Sequence, residues 1–505
     1  MKHGAMKPWL TPLSLGLTII LSASAWADTH RPNIVFLFAD DQRADTIGAH
    51  GNRHIETPRL DTLAESGFSF LRNYCAGSFS GAVCVASRSM LMTGRHWMNL
   101  PEGTKSRSWA DLPLLPSVLE KEAGYETFIV GKWHNGEETL KAAFSNGKSV
   151  YMGGMVDHTD FVVQDYIDGE LTPKRSAGGF SSEVFSDSAI EYIEAADTEK
   201  PFFLYVALTA PHDTRNPPVA YREKYYQNRP PLPVNFLPSH PFVNAPQVTG
   251  GRDEGLAPWP RTPEVISDQL SEYYGLITHM DEQIGRVLES IKNGPHADNT
   301  IIVYTADHGL AMGSHGLLGK QNVYEQSMRA PLIIQGPGIP ADQSSKSFNY
   351  VHDLYATICD WAGVETPSKV DSLSLNPIMT GEKKSLRKEL FLPFQDNQRA
   401  VSDGRWKLHV YPKINHELLF DLKADPHETN DLAKDPHYAK ELKRMMKLMV
   451  KTREAYGDTD PLHVANPGLK EPAYDNNKRT LDVWQPKWIR DKYFDGRSHP
   501  NHGSN

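Results

Sequence analysis

Cysteine is scarce in this 505-residue chain, which carries only Cys75, Cys84 and Cys359. Three thiols cannot build a disulfide scaffold, and one stays unpaired whichever pair forms, so stability must come from a hydrophobic core. By cysteine counting alone, Cys84 reads as a disulfide partner of Cys75 or as a buried thiol. Blocks of like charge are missing too, and a net charge of −9 spread along the sequence argues against a nucleic-acid surface. A polyanionic substrate would therefore have to meet a local basic pocket. There is no internal repeat. No apolar run reaches the roughly 20 residues that a membrane-spanning helix needs. The nearest approach, Trp9 to Leu21, follows Lys2 and Lys7 and leads into Ala25-Trp26-Ala27, the layout of a secretory signal peptide cleaved after Ala27. The expectation is an exported protein, periplasmic or secreted, with no membrane anchor after cleavage.

What the chain does have is regular alternation of strand and helix signals. Asn33-Ile34-Val35-Phe36-Leu37-Phe38-Ala39 is an unbroken apolar run, the mark of a strand covered on both faces of a parallel sheet. Thr57-Pro58 reads as an N-cap with proline at the first helical position, and Leu60, Leu63 and Ala64 form the inward face before Gly67. The spacing then predicts a strand through Phe68–Leu71, a helix to Ala123 capped by Gly124, and a strand over Thr127–Val130. A helix over Ser182–Ala195, a strand over Phe202–Ala207, a long amphipathic helix over Ser267–Lys292 and a strand over Ile301–Tyr304 complete the series. The fold class read from this is α/β, a large, mixed but mostly parallel sheet sandwiched by helices, within residues 28–380. Two stretches, Phe144 to Gly179 and the proline-rich Asn216 to Pro263, lack regular signals and read as substrate-facing walls. Residues 381–505 change texture to short alternating runs, Ala400–Val410 and Glu417–Leu422 about an Asp403-Gly404 turn, predicting a smaller C-terminal antiparallel sheet. The last stretch, with Trp484, Trp488, Tyr493 and Phe494, reads as an extended arm.

Residues able to do chemistry gather just after the predicted strands: Asp40-Asp41, Gly131-Lys132-Trp133-His134, Ala210-Pro211-His212-Asp213 and Thr305-Ala306-Asp307-His308-Gly309, with Lys320 beyond. Ligands of open α/β sheets bind outside the carboxyl ends of the strands, so one pocket can collect them all. Asp40, Asp41, Asp307 and His308 offer hard oxygen donors and one imidazole, a set for a single divalent cation. Cys84-Val85-Ala86-Ser87-Arg88 leads into the helix-like run Ser89–Gly94. A reactive group there would sit at a helix start, where free N–H groups favour an anion.

With these segments in this order, from Pro32 to about Ala433, the chain resembles the sulfatases, formylglycine-dependent hydrolases of the alkaline-phosphatase-like superfamily. His308 beside Asp307 and the Ala210–Asp213 segment are closest to the iduronate-2-sulfatase-like branch. The resemblance implies that Cys84 is oxidised to formylglycine, that Arg88 fixes it, and that Lys132 and His134 contact its hydroxyls, with His134 taking a proton as sulfate leaves. It implies that His212 and Lys320 hold the sulfate oxygens and that either is the principal acid. It also implies that the cation is Ca²⁺. Arg215 is a candidate for a sugar carboxylate or a neighbouring sulfate, or for a surface salt bridge. His315, in the same glycine-rich loop as Lys320, is left outside the core set. Where the family usually has proline this chain has Ala86, which points to a formylglycine-generating maturase of the radical type. The substrate implied is a sulfated glycan or fragment of one. Two other readings stay open: a phosphodiesterase or phosphonate hydrolase of the same superfamily, and a catalytically silent sulfated-glycan-binding protein.

Overall fold

The computed structural model describes residues 31–101, 109–242 and 250–468, with Met1, Val248 and Asp491. The leader read from the sequence and the aromatic tail residues Trp484, Trp488, Tyr493 and Phe494 lie outside the described residues. The main sheet is built from β1 (Asn33–Ala39), β2 (Phe68–Phe70), β3 (Glu126–Lys132), β4 (Asn146–Tyr151), β5 (Val162–Ile167), β6 (Glu170–Leu171), β7 (Phe202–Ala207), β8 (Thr300–Ala306), β9 (Leu332–Gln335) and β10 (Gln343–Ser345), with the two-residue strand Arg175–Ser176 pairing with β5 off this path. Five neighbouring strands run parallel in the order β4-β3-β7-β1-β8. Beyond β8 the antiparallel β9 and β2 follow, with β10 parallel to β2 at that edge. Every residue of β1 is buried, as its unbroken apolar run requires. The β1/β8 register sets Ala39 opposite Ala306, so Asp40 and Asp307 emerge side by side.

The stretch Phe144 to Gly179 is more regular than its sequence. It supplies β4 to the parallel sheet, then the antiparallel β5 and β6. Asn146-Gly147-Lys148-Ser149-Val150-Tyr151 is polar because it lies towards the edge, where strands need not be apolar on both faces. The second silent stretch contains a helix, Val219–Gln227, and the long helix begins at Pro263, where Thr262 Oγ1 accepts from the Val265 N–H at 3.3 Å. This helix, Pro263–Asn293, packs against the Ser181–Ala195 helix on one face of the sheet.

Thr57 does not cap the Pro58–Glu65 helix with its side chain. The cap comes from across the fold: Asp281, on the long helix, accepts from the N–H groups of Arg59 (3.1 Å) and Leu60 (2.8 Å). Tertiary packing has replaced a local cap with a buried carboxylate at the positive end of the helix.

The C-terminal sheet runs β11 (Leu390–Phe394), β12 (Gln398–Ser402), β13 (Trp406–Tyr411), β14 (His416–Asp421), all antiparallel. Asp403 Oδ1 closes its turn by accepting from the Arg405 and Trp406 N–H groups, and Gly404 takes the left-handed conformation at φ 94°. A helix not anticipated from sequence, Ala439–Ala455, buries Met445 and Met449 against this sheet.

Burial pushes the Asp281 carboxyl up to about 7, against the two N–H donors that favour its anion. A carboxyl with a raised folded pKa contributes stability that is fully present below its ordinary value of 3.8 and is lost as pH rises through about 7. Asp281→Asn keeps an acceptor without the charge. Its denaturation midpoint is expected to lack the parent's loss between pH 4 and 7; equal slopes in parent and variant would refute this account of the cap.

Candidate active site

Four neighbouring parallel strands, β8, β1, β7 and β3, each deliver residues to one place beyond their carboxyl ends. Asp307 and His308 follow β8, Asp40 and Asp41 follow β1, His212 follows β7, and Lys132 is the last residue of β3. Asp41 takes φ 67°, a left-handed conformation that aspartate tolerates better than most side chains. The turn is held by the Asp41 N–H on Asp307 Oδ1 (3.0 Å) and by the Tyr273 hydroxyl, which donates to the Asp41 carbonyl (2.6 Å). The His308 N–H donates to the same Asp307 Oδ1 at 3.0 Å.

His308 Nδ1 faces the Gly309 carbonyl at 2.9 Å and must donate to it, which leaves Nε2 as a lone pair. That atom lies 3.4 Å from Asp41 Oδ1 and 3.6 Å from Asp307 Oδ1. His308 Nε2, Asp40 Oδ1 and Asp307 Oδ2 are buried without a hydrogen-bond partner. Atoms of Asp40, Asp41, Cys84, Asp307 and His308 that can bind metal all lie within 4.8 Å of one another. Buried acceptors left unbonded are costly, and three carboxylates with one basic imidazole nitrogen suit a divalent cation. The residues present fit the group that the sequence implies.

Cys84 is the second residue of the Val83–Thr93 helix, whose N-cap residue, Ala82, provides no side-chain cap. Its thiol is 1% exposed, and burial with the nearby Asp40 carboxylate holds its pKa well above the ordinary value despite Lys132 and Lys320. One helical turn on, the fully buried Arg88 ties the helix to the strand ends. Its Nη1 donates to the Lys132 carbonyl (3.0 Å) and the Tyr205 hydroxyl (3.3 Å), Nη2 lies 3.5 Å from Asp307 Oδ2, and the guanidinium stacks 4.9 Å over Phe38. Lys132 pairs with Asp40 and donates to the Gly154 carbonyl at 2.6 Å.

Lys320 reaches in from the loop after β8. Its Nζ donates to Asp41 Oδ1 (2.8 Å) and Oδ2 (3.0 Å), to Cys84 Sγ (3.1 Å) and to His212 Nε2 (2.9 Å). The last bond has a direction, because His212 Nδ1 faces the Asp213 carbonyl at 2.7 Å and must donate there, leaving Nε2 to accept. Burial and Lys320 keep His212 neutral, with its pKa well below the ordinary value. Burial opposes the Lys320 charge as well, but Asp41, Cys84, Asp253 and Asp40 together outweigh it and hold the ammonium pKa well above ordinary. The proton of this pair sits on the lysine.

A cleft of about 360 Å³ opens over these groups, with Cys84, His134, His212, Arg252, Asp253 and Lys320 among its walls. Gly154 and Met155 line it from one of the two stretches without sequence pattern, and Gly251 to Asp253 from the other. Of the eleven residues singled out from sequence, Cys84, His134, His212 and Lys320 line this cleft, and Asp40, Asp41, Arg88, Lys132, Asp307 and His308 pack around Cys84 beneath it. Arg215 does not line this cleft. Its guanidinium, 1% exposed, donates to Gln269 Oε1 on the long helix at 2.8 Å and lies over Tyr273. Arg252 takes the wall position instead, gripping Asp213 through both guanidinium nitrogens at 2.7 and 2.8 Å. His315 stacks on Tyr324 with ring centroids 3.9 Å apart, a loop-shaping contact. The three cysteines are free thiols, so the disulfide reading of Cys84 is set aside.

Glu254 was invisible in the sequence. It accepts from the N–H groups of Leu318 (3.0 Å) and Gly319 (2.9 Å), fixing the loop that carries Lys320, and pairs with buried Arg261 at 2.6 Å.

A family model described as Sulfatase matches residues 32–364 of this chain. The chain belongs to the sulfatase family, whose members hydrolyse sulfuric esters. A second model, described as N-sulphoglucosamine sulphohydrolase, C-terminal, matches residues 313–455. This sulfatase is 28% identical to an N-acetylglucosamine-6-O-sulfatase of Bacteroides thetaiotaomicron, over 86% of this chain and 88% of that one. It is 27% identical to an arylsulfatase of Clostridium perfringens, over 84% and 95% of the two chains. A structure solved in complex with its substrate, D-glucosamine-2-N,6-O-disulfate, superposes with a TM-score of 0.74 at 26% identity, covering 86% of this chain and 99% of that one. Among the described residues, no helix of this sulfatase is long and apolar enough to cross a membrane.

Glu254→Ala would leave Arg261 charged, buried and unpaired and release two backbone donors. A loss of about 3–5 kcal/mol in chemical denaturation is expected. A loss below about 1 kcal/mol would show that the pair does not hold the loop.

Proposed function

We propose that this sulfatase is exported and removes a sulfate ester from a sulfated glycan or glycan fragment, using Cys84 converted to formylglycine beside a divalent cation, Ca²⁺, held by Asp40, Asp41, Asp307 and His308. The observation that carries the reading is the convergence of Cys84, Lys320 and His212 on the carboxylates at the strand ends, with the neighbouring acceptors of Asp40, Asp307 and His308 left unbonded. The glycan substrate is supported by the relatives named for hexosamine sulfate esters. Export is supported by the leader-like first 27 residues. Ala86, buried in the first turn of the Val83–Thr93 helix, favours a radical-type maturase as the source of the modified residue.

Formylglycine supplies a geminal-diol nucleophile, and the cation supplies positive charge to the anionic ester. The rest falls to side chains. Asp40, Asp41 and Asp307 are balanced by Arg88, Lys132 and Lys320, so a doubly charged cation leaves the site a surplus of positive charge for sulfate. Lys320 Nζ, which holds its proton in contact with both the nucleophile position and His212 Nε2, is the donor to the departing alcohol. His212, kept neutral, orients that ammonium by accepting from it through Nε2. Arg88 and Lys132 hold the helix start against the strand ends, and His134, on the cleft wall, takes the second proton when sulfate is expelled.

The test is the intact mass of the tryptic peptide containing Cys84 from the native host, which is expected about 18 Da lighter than the thiol form, since carbonyl oxygen replaces SH and H. Complete absence of that species would remove the proposed nucleophile. Lys320→Ala is expected to lower kcat toward an aryl sulfate by roughly 10²–10³-fold. A second reading, phosphonate hydrolysis, is favoured by one likeness: a phosphonate monoester hydrolase from Silicibacter pomeroyi superposes with a TM-score of 0.66 at 25% identity, over 85% of this chain and 96% of that one. Faster turnover of a phosphonate or phosphodiester than of a sulfate ester would favour that reading over ours.

A further inference from the structure

A strongly basic concavity lies apart from the catalytic cleft. A cavity of about 580 Å³ lies in the seam where the C-terminal sheet meets the edge of the main sheet, walled by Phe70, Leu71, Ala330 and Pro331 on one side and by the β12–β13 turn and the end of β14 on the other. It shares no lining residue with the catalytic cleft. Five cationic side chains line it, Arg72, Arg329, Lys346, Arg405 and Lys423, against one carboxylate, Asp45. Asp45 is already engaged by Arg43, at 2.8 and 2.6 Å. Arg405 pairs with Asp421 at 2.9 Å, and Arg329 lies 3.8 Å from Glu325.

That leaves Arg72, Lys346 and Lys423 with no carboxylate at ion-pair distance among the described residues. Arg72 is pre-positioned: Nη2 donates to the Gly404 carbonyl at 3.3 Å and the guanidinium stacks over Phe348 at 5.3 Å. Gly404 keeps the wall open, since a Cβ there would come within 3.2 Å of Arg72 Nη1. Like charges brought together without counterions repel one another, the more so where low-dielectric walls confine the field. On a chain of net charge −9, such a spot is where a polyanion finds its complement. The volume is that of an ordinary ligand pocket, large enough for a sugar unit.

We propose that this cavity is a second, non-catalytic site for an anionic sugar unit, which holds a sulfated oligosaccharide by its sulfate groups at a distance from the residue being desulfated. The proposal rests on the glycan reading of the substrate above. A chain held at two points dissociates far more slowly than one held at either, so the site would favour polymers over isolated sugars.

The test compares the full-length protein with a Lys346→Glu/Lys423→Glu variant, both lysines being exposed and outside the catalytic machinery. A Lys121→Glu/Lys292→Glu variant, on exposed positions elsewhere, matches the change in net charge. The probes are a heparin hexadecasaccharide for equilibrium binding and 4-nitrophenyl sulfate for turnover. The Lys346/Lys423 variant is expected to lose at least about tenfold in oligosaccharide affinity while the control loses less than about twofold. Aryl sulfate turnover is expected to match the parent in both. Equal affinity in parent and variant, or an equal loss in the control, would overturn the second site. Failure of the parent to hydrolyse aryl sulfate would count against the catalytic reading and leave the binding comparison to decide this one.

Discussion

Three carboxylates set side by side at the ends of parallel strands, out of reach of water, must be countered or the fold cannot keep them ionised. Asp40, Asp41 and Asp307 are each 0% exposed, and the Ala39–Ala306 register makes their proximity a property of the sheet itself. Transfer of one uncompensated carboxylate into such surroundings costs several kcal/mol, so the polar groups around them are a condition of the architecture. Asp40 is kept ionised: burial raises its pKa, but the cations Lys132, Arg88 and Lys320 carry it well below ordinary. Asp41, next to it, is pushed up to about 6 by burial against Lys320 and His308, with Asp40 and Asp307 adding to the rise. Protein cations alone thus neutralise the set unevenly, and the unbonded atoms of Asp40, Asp307 and His308 mark the direction from which further positive charge would come.

The same balance explains why the site draws on so much of the chain. Strand ends fix the carboxylates, the Val83–Thr93 helix brings Arg88 and Cys84, and the loop after β8 brings Lys320. Each positive group is itself held by backbone carbonyls or by a second charge, as Arg88 is by the Lys132 carbonyl and the Lys320 loop is by Glu254. Side chains supported in this way need no rearrangement when negative charge develops on a substrate, which is the physical basis of electrostatic catalysis. The cleft above them is walled by segments with little secondary structure, where variation in shape costs the sheet nothing.

Much of this was legible from chain-local patterns. The apolar run of β1 announces a buried parallel strand, and acidic residues directly after it fall at the ligand-binding edge without further assumption. β4 and β5 were missed because their half-polar sequences obey the looser rules of strands away from the sheet centre. The Asp281 cap, the Glu254 brace and the Arg252–Asp213 pair were beyond reach because each joins residues far apart in sequence, and only packing decides which carboxylate meets which donor. Arg215 shows the converse error. Nearness to His212 along the chain placed it in the site on paper, while the fold turns its guanidinium inward to Gln269.

Anomalous diffraction from crystals of the purified protein grown with Ca²⁺ tests the central claim most directly. The account predicts a single strong peak bonded to oxygens of Asp40, Asp41 and Asp307 at about 2.3–2.6 Å and to His308 Nε2. A site without a peak, with Arg88, Lys132 and Lys320 as the only counterions of the carboxylates, would contradict it.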